Sequence, residues 1–173
     1  LTKGLDDRWG SDVVFLRLVA DDALTTGRYE EALAWFDQKV PELVGELPRV
    51  NSTNIQKAVD LGHLLLASGS EARARYLLEA VVETFDAEYT LGSANYPLGI
   101  SKVEALALLD RHEEALSELR RLVDDGWRVS WRFHGLLTHH LDAIRDRNEF
   151  KSIMADVEAD LERQNREFDP TSL

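Results

Sequence analysis

The sequence contains no cysteine. Disulfides, thiolate metal sites and cysteine nucleophiles are therefore excluded, while the redox compartment stays open. Only four prolines and ten glycines occur in 173 residues, which rules out collagen-like and low-complexity chains. Long apolar runs are missing too. The nearest, residues 13–20, is broken by Arg17 and followed by Asp21 and Asp22, well short of the roughly 18 residues of a membrane span. No secretory signal is visible. Positive charge is scarce: 20 Lys and Arg stand against 32 Asp and Glu, a net charge of −12. The summed field repels phosphate, so direct binding of nucleic acid and contact with a membrane surface are not expected. Gly69, Gly92 and Gly99 lack the Lys-Ser or Lys-Thr that completes a phosphate loop. The chain starts at Leu1 and its single methionine is Met154, so a processed form or a piece of a longer protein is expected.

What is present is helical periodicity. Val13, Leu16, Val19, Ala20, Ala23 and Leu24 recur at three- and four-residue steps, and no long stretch alternates with period two. The sequence predicts an all-α fold without a sheet. It also repeats itself. Gly27-Arg28-Tyr29-Glu30-Glu31-Ala32-Leu33 leads to Phe36, Gly69-Ser70-Glu71-Ala72-Arg73-Ala74-Arg75 to Leu78, and Asp110-Arg111-His112-Glu113-Glu114-Ala115-Leu116 to Leu119. Each has a turn residue, an Ala five positions on and a large apolar residue four beyond that. From Ala32 to Ala74 is 42 residues, and from Ala74 to Ala115 is 41. The turn residue ends one helix by entering the left-handed conformation. The Ala admits a close neighbour, and the large residue fills the space between pairs. A lone helical pair cannot bury its apolar face, so the pairs must stack.

Residues 11–126 resemble the tetratricopeptide repeat (TPR) family. With Val13, Ile55 and Tyr96 as first positions, the family's small residue at position 8 falls on Ala20, Gly62 and Val103. Its position 20 falls on Ala32, Ala74 and Ala115, and its position 24 on Phe36, Leu78 and Leu119. The period exceeds the family's ~34 residues and also fits HEAT-type repeats; the constant turn-to-Ala spacing favours TPR. The extra residues are expected in links 45–54 and 86–96. The resemblance implies a right-handed solenoid of about three helical hairpins (11–46, 53–88 and 96–126), after a lead-in over 1–10. Residues 127–173 are expected to form an aromatic cap segment and a C-terminal capping helix.

Capping signals suit these divisions. Thr53 with Gln56 reads as a capping box, Ser70 can cap the second helix of repeat two, and Asp110 with Glu113 repeats the pattern in repeat three. Gly92 to Asn95 forms a turn-rich link before Tyr96, with Pro97 suited to a first helical turn. A last helix is expected over 149–167, with Phe150, Ile153, Met154, Val157 and Leu161 on one stripe and Asp156, Glu158, Asp160, Glu162 and Arg163 outward. Residues 126–150 are similar to the tail that closes TPR arrays in bacterial multidomain regulators, among them winged-helix transcriptional regulators and class III adenylate cyclases.

No catalytic constellation stands out, and no cofactor is expected. His134, His139 and His140 come nearest to a metal cluster, but adjacent histidines on a helix diverge by about 100°, and zinc needs three or four convergent ligands. Glu30-Glu31 and Glu113-Glu114 are explained by favourable charge in a helix's first turn. Trp127, Arg128, Trp131, Arg132 and Phe133 could imitate a stacking platform for single strands, though packing of the cap accounts for them. By the resemblance, a concave groove is lined by first-helix residues. Its candidates are Arg17, Asp21, Gln56, His63 and Glu104 as polar points among Leu24, Leu66, Ile100 and Leu108. The family's groove for a C-terminal carboxylate carries Lys and Asn where this chain has Arg17 and Asp21. The expected function is a non-catalytic protein–protein interaction module of a bacterial signalling or transcription-regulatory protein. It would bind a peptide or helix, with a possible homodimer, in the cytoplasm or as the periplasmic part of a membrane-anchored regulator. The alternatives are a dimerisation or spacer domain, or a metal-dependent enzyme using His134, His139 and His140. The groove could also be filled by the protein itself.

Overall fold

The computed structural model describes residues 12–45, 47–90 and 96–167. The described residues are helical, with no strand among them. The lead-in 1–10 and the link 92–95 lie outside them. The helices are α1 (Val13–Thr26), α2 (Tyr29–Lys39), α3 (Pro41–Val44), α4 (Ile55–Ala67), α5 (Glu71–Thr90), α6 (Tyr96–Leu108), α7 (His112–Asp124), α8 (Asp142–Arg145) and α9 (Asn148–Glu167). Among them no helix is long and apolar enough to cross a membrane.

Helix ends follow local chemistry. Asp12 opens α1 by accepting from the Val14 and Phe15 amides at 2.9 and 3.2 Å, which satisfies two of the orphan donors at a helix start. The three turn residues adopt the same left-handed backbone: Gly27 at φ 75°, Gly69 at φ 83° and Asp110 at φ 62°. At the second and third turns the hydrogen bonds match as well. Ser70 N donates to Leu65 O at 2.8 Å and Arg111 N to Leu106 O at 3.0 Å, six-to-one closures that consume the last carbonyls.

Two capping expectations are corrected. Asp110 does not cap α7; its left-handed backbone closes α6, and Arg111 precedes α7 with no side-chain cap. Thr53 does not complete a box with Gln56, because Asn51 Oδ1 takes both its amide and its hydroxyl, at 2.9 and 2.6 Å. The placement of the extra residues also differs. α5 continues to Thr90, so residues 86–90 belong to a helix rather than to a link.

The packing partners are regular. α1 lies on α2, α4 on α5 and α6 on α7, while α1, α4 and α6 also pack in sequence. Ala32, Ala74 and Ala115 are buried, as are Phe36, Leu78 and Leu119. At Gly62 the approach is so close that an added Cβ would sit 2.6 Å from Leu78 Cδ2, so the small residue there is a packing requirement. α9 is the last of these helices. Its Phe150, Ile153, Met154 and Val157 are buried, and it packs against α7. Asp156 is exposed as expected and pairs with Arg120 at 2.6 Å, whereas Asp160, expected outward, is largely covered and pairs with Arg128 at 2.9 Å.

Candidate functional site

The first helices α1, α4 and α6 each contribute one charged side chain to a buried cluster. Arg17 is held from α1, Asp60 from α4 and Glu104 from α6, and both carboxylates are fully buried. Arg17 donates through Nε to Asp60 Oδ1 at 2.8 Å and through Nη1 and Nη2 to the two Glu104 oxygens at 3.1 Å each. This two-pronged pairing fits the planar guanidinium to a carboxylate. Burial lowers Arg17's proton affinity, but Asp60 and then Glu104 outweigh it and hold the guanidinium above its usual range. Burial likewise pushes the Glu104 carboxyl up, but Arg17 and the hydrogen bond from His134 hold it well below the usual range.

The open side of this cluster is covered by the protein's own chain. After α7, Gly126 turns left-handed at φ 98° and Ser130 does so at φ 53°. A π-helical turn (Phe133–Leu137) and a 3-10 turn (His139–Leu141) follow. His134 places Nδ1 2.8 Å from Glu104 Oε1; with that carboxylate ionised, Nδ1 carries the proton and donates it. Phe133 lies under the Arg17 guanidinium, 5.9 Å from ring centroid to carbon. His140 Nε2 is 3.1 Å from Asp60 Oδ1, but off the line that a hydrogen bond requires. Its other nitrogen, Nδ1, lies 2.5 Å from Thr138 Oγ1. The His140 ring meets His63 edge-on at 5.0 Å, and His139 Nε2 reaches Thr25 Oγ1 at 3.3 Å. Arg145 braces the stretch from behind, donating to Leu136 O at 3.1 Å and to Thr138 O.

Of the groove candidates, Arg17, Asp21, His63 and Glu104 come together around this cluster. Arg17 and Glu104 are buried beneath residues 133–141, and Asp21 and His63 are half-buried at its edge. Burial raises the Asp21 carboxyl above its usual range, more than His140 lowers it. Burial, then His140 and His139, push His63 from 6.5 down to about 4, so its ring is neutral near pH 7. Gln56 borders a cleft of about 230 Å³ with Val14, Leu18, Ser130 and Phe133 at the cluster's edge. Ile100 is buried in the apolar core, and Leu24, Leu66 and Leu108 pack against it half-buried. None of these four joins the polar cluster.

Asp60 was not among the sequence candidates. The signal was present: an aspartate between Ala58-Val59 and Leu61-Gly62, in an otherwise apolar helical run. Such a charge is buried only with partners. His134 and His140 do engage carboxylates, but no group of three His, Asp or Glu side chains among the described residues is arranged to hold a metal ion. Trp127 and Trp131 are buried in the core, so they offer no stacking face. A second concavity, about 660 Å³ and lined mainly by Leu43, Val44, Pro48, Leu65, Tyr76 and Leu77, holds no acid–base pair. No protein-family model matches the chain, and neither a curated protein nor a solved structure matches it significantly.

Proposed function

We propose that the chain is a non-catalytic interaction module. It is built as a TPR-type stack of three helical hairpins with a C-terminal cap, and the side of α1, α4 and α6 receives a peptide or helix of a protein partner. One observation carries this reading: the same positions behave alike in all three hairpins. A left-handed turn residue, a buried Ala and a buried large apolar residue recur in register, and the first helices pack side by side. Stacked pairs of this type build extended binding surfaces. The non-catalytic reading rests on the cluster's own chemistry. Glu104 is fully buried and its two oxygens are taken by Arg17 and His134, which leaves it no open approach to a substrate. The tail's likeness to those of bacterial regulators favours a cytoplasmic setting in a signalling or transcription-regulatory protein.

A photo-crosslinking residue at Gln56, at the cluster's rim, tests this against the same residue at Glu149, on the exposed start of α9. Cross-links to a partner peptide at Gln56 and none at Glu149 are expected; cross-links only at Glu149, or at neither, overturn the reading. A homodimer is the second reading. Val14 and Leu18 favour it, since they stand one turn apart on α1 and are 64% and 57% exposed. Light scattering on dilution decides between monomer and dimer.

A further inference from the structure

Four buried polar atoms at the edge of the cluster have no hydrogen-bond partner: Asp21 Oδ1, Asp60 Oδ2, His63 Nδ1 and His140 Nε2. Folded interiors leave few such atoms, and each one requires an explanation. These four share one neighbourhood. Asp21 and His63 each interact electrostatically with Asp60, His139 and His140. All four lie where the stretch around Thr138 to Leu141 covers α1 and α4. One step away, between Arg17, Glu104 and His134, the same cover is well paired. The cover is thus an incomplete fit at one end.

The local charge indicates what is lacking. Asp21, Asp60 and Glu104 face the site from the helices and Asp142 from the covering side. Arg17 is the cation beneath the cover, and its Nε and both terminal nitrogens are committed to Asp60 Oδ1 and Glu104. Arg145, on the covering side, is committed to Asp142 at 3.1 Å and to the Leu136 and Thr138 carbonyls. His139 is engaged by Thr25 and Asp142. Once the 139–141 turn moves away, His140 leaves with it. Two carboxylate oxygens and the His63 ring nitrogen remain, and a neutral His63 protonated on Nε2 accepts at Nδ1. Three acceptors in one neighbourhood suit a donor with several N–H groups, and the guanidinium fork is such a donor. Leu141 anchors the covering stretch in the apolar core, while Leu136 and Leu137 just before it point outward at 48% and 69% exposure.

We propose, resting on the interaction-module reading, that Asp21, Asp60 and His63 form the seat for an arginine side chain from a basic segment of the protein partner, which displaces residues 138–141. The displaced stretch is a tethered competitor, so its effective concentration sets the affinity that a partner must exceed.

The test uses the full chain, with acetylated hexaarginine amide as probe. Binding is measured by calorimetry, and amide exchange is followed across residues 133–141. Asp21→Asn keeps the side chain's shape and leaves the Arg17 pairs untouched; a thermal melt of this variant verifies its fold. Glu30→Gln with Glu31→Gln serves as the control for bulk charge, because both residues are exposed on α2. The expected result is at least about tenfold weaker binding for Asp21→Asn, less than about twofold change for the control, and faster exchange at 138–141 in the complex. Equal weakening in both variants, no binding, or binding with unchanged exchange at 138–141 overturns the seat. If hexaarginine displaces 138–141 while Gln56 yields no partner cross-link, the module reading falls and the seat stands. Cross-links at Gln56 without displacement have the opposite meaning.

Discussion

The hairpins α1 to α7 and the stretch from Trp127 to Leu141 are built on different principles. In the hairpins, apolar side chains at fixed intervals carry the packing, and each turn is ended by a residue that tolerates left-handed backbone. In the later stretch Trp127, Trp131 and Leu141 are buried in the core, and between them histidines, a threonine and an arginine seek polar partners on a surface that already exists. The first kind of structure is written locally in the chain. The second takes its shape from what it lands on, which is why it passes through a π turn and a short 3-10 turn rather than a regular helix.

The largest expected effect attacks the polar side of this contrast. Arg17→Met leaves Asp60 and Glu104 buried with no cation between them, a loss of about 3–5 kcal/mol. Urea unfolding should show that loss, and native-state exchange should show residues 133–141 opening well before α5. Uniform loosening of both regions would erase the distinction.

Acidification probes the same region more gently. His63 is pushed down to about 4 from 6.5, so between those values the unfolded chain binds a proton that the folded chain refuses. Stability is therefore fully present above about pH 6.5 and falls as the pH drops toward 4, by at most about 3 kcal/mol. Asp21, raised by burial, has the opposite sign and offsets part of the loss. Glu104, lowered, adds to the loss below the ordinary carboxylate range. Urea midpoints from pH 7 to 4.5 should decline in the native chain and much less in His63→Gln; equal slopes would remove His63 from the account.

Gly62→Val attacks the hairpin side. Its new Cβ would sit 2.6 Å from Leu78 Cδ2, and Leu78 is fully buried, so the core must shift to admit it. Overpacking of this kind costs about 2 kcal/mol, and the melting temperature should fall while the exchange pattern of 133–141 keeps its rank relative to α5. The smallest expected effect is a gain. Asp110 holds φ 62° where the other two turns have glycine, so Asp110→Gly should stabilise by about 0.5 kcal/mol, measurable as a small rise in the urea midpoint.

Much of the helical architecture was legible because its instructions are local. The three-and-four-residue apolar steps, the turn residues at 27, 69 and 110, and the last helix within a residue of its observed start all follow from spacing and backbone preference. The caps at Thr53 and Asp110 misled, since a capping side chain is only one of several uses for the same groups: Asn51 captured Thr53 first, and Asp110 was needed as a turn. The cluster was half legible. Arg17, Asp21, His63 and Glu104, expected as polar points of an open groove, lie close together, but Arg17 and Glu104 are buried under the protein's own chain. That His134 and His140 would meet them could not be read, because residues 127–141 carry no period to fix their direction.

The guanidinium of Arg17 has a consequence for how the molecule comes apart. In a simple array each unit touches only its neighbours, so the ends fray while the middle survives. Here one side chain from α1 grips α6 directly across 87 positions of sequence, with α4 held between them. Neither the α1 nor the α6 hairpin can peel away without abandoning a buried charge, so the three hairpins should lose their structure in a single cooperative step rather than unzip from one end.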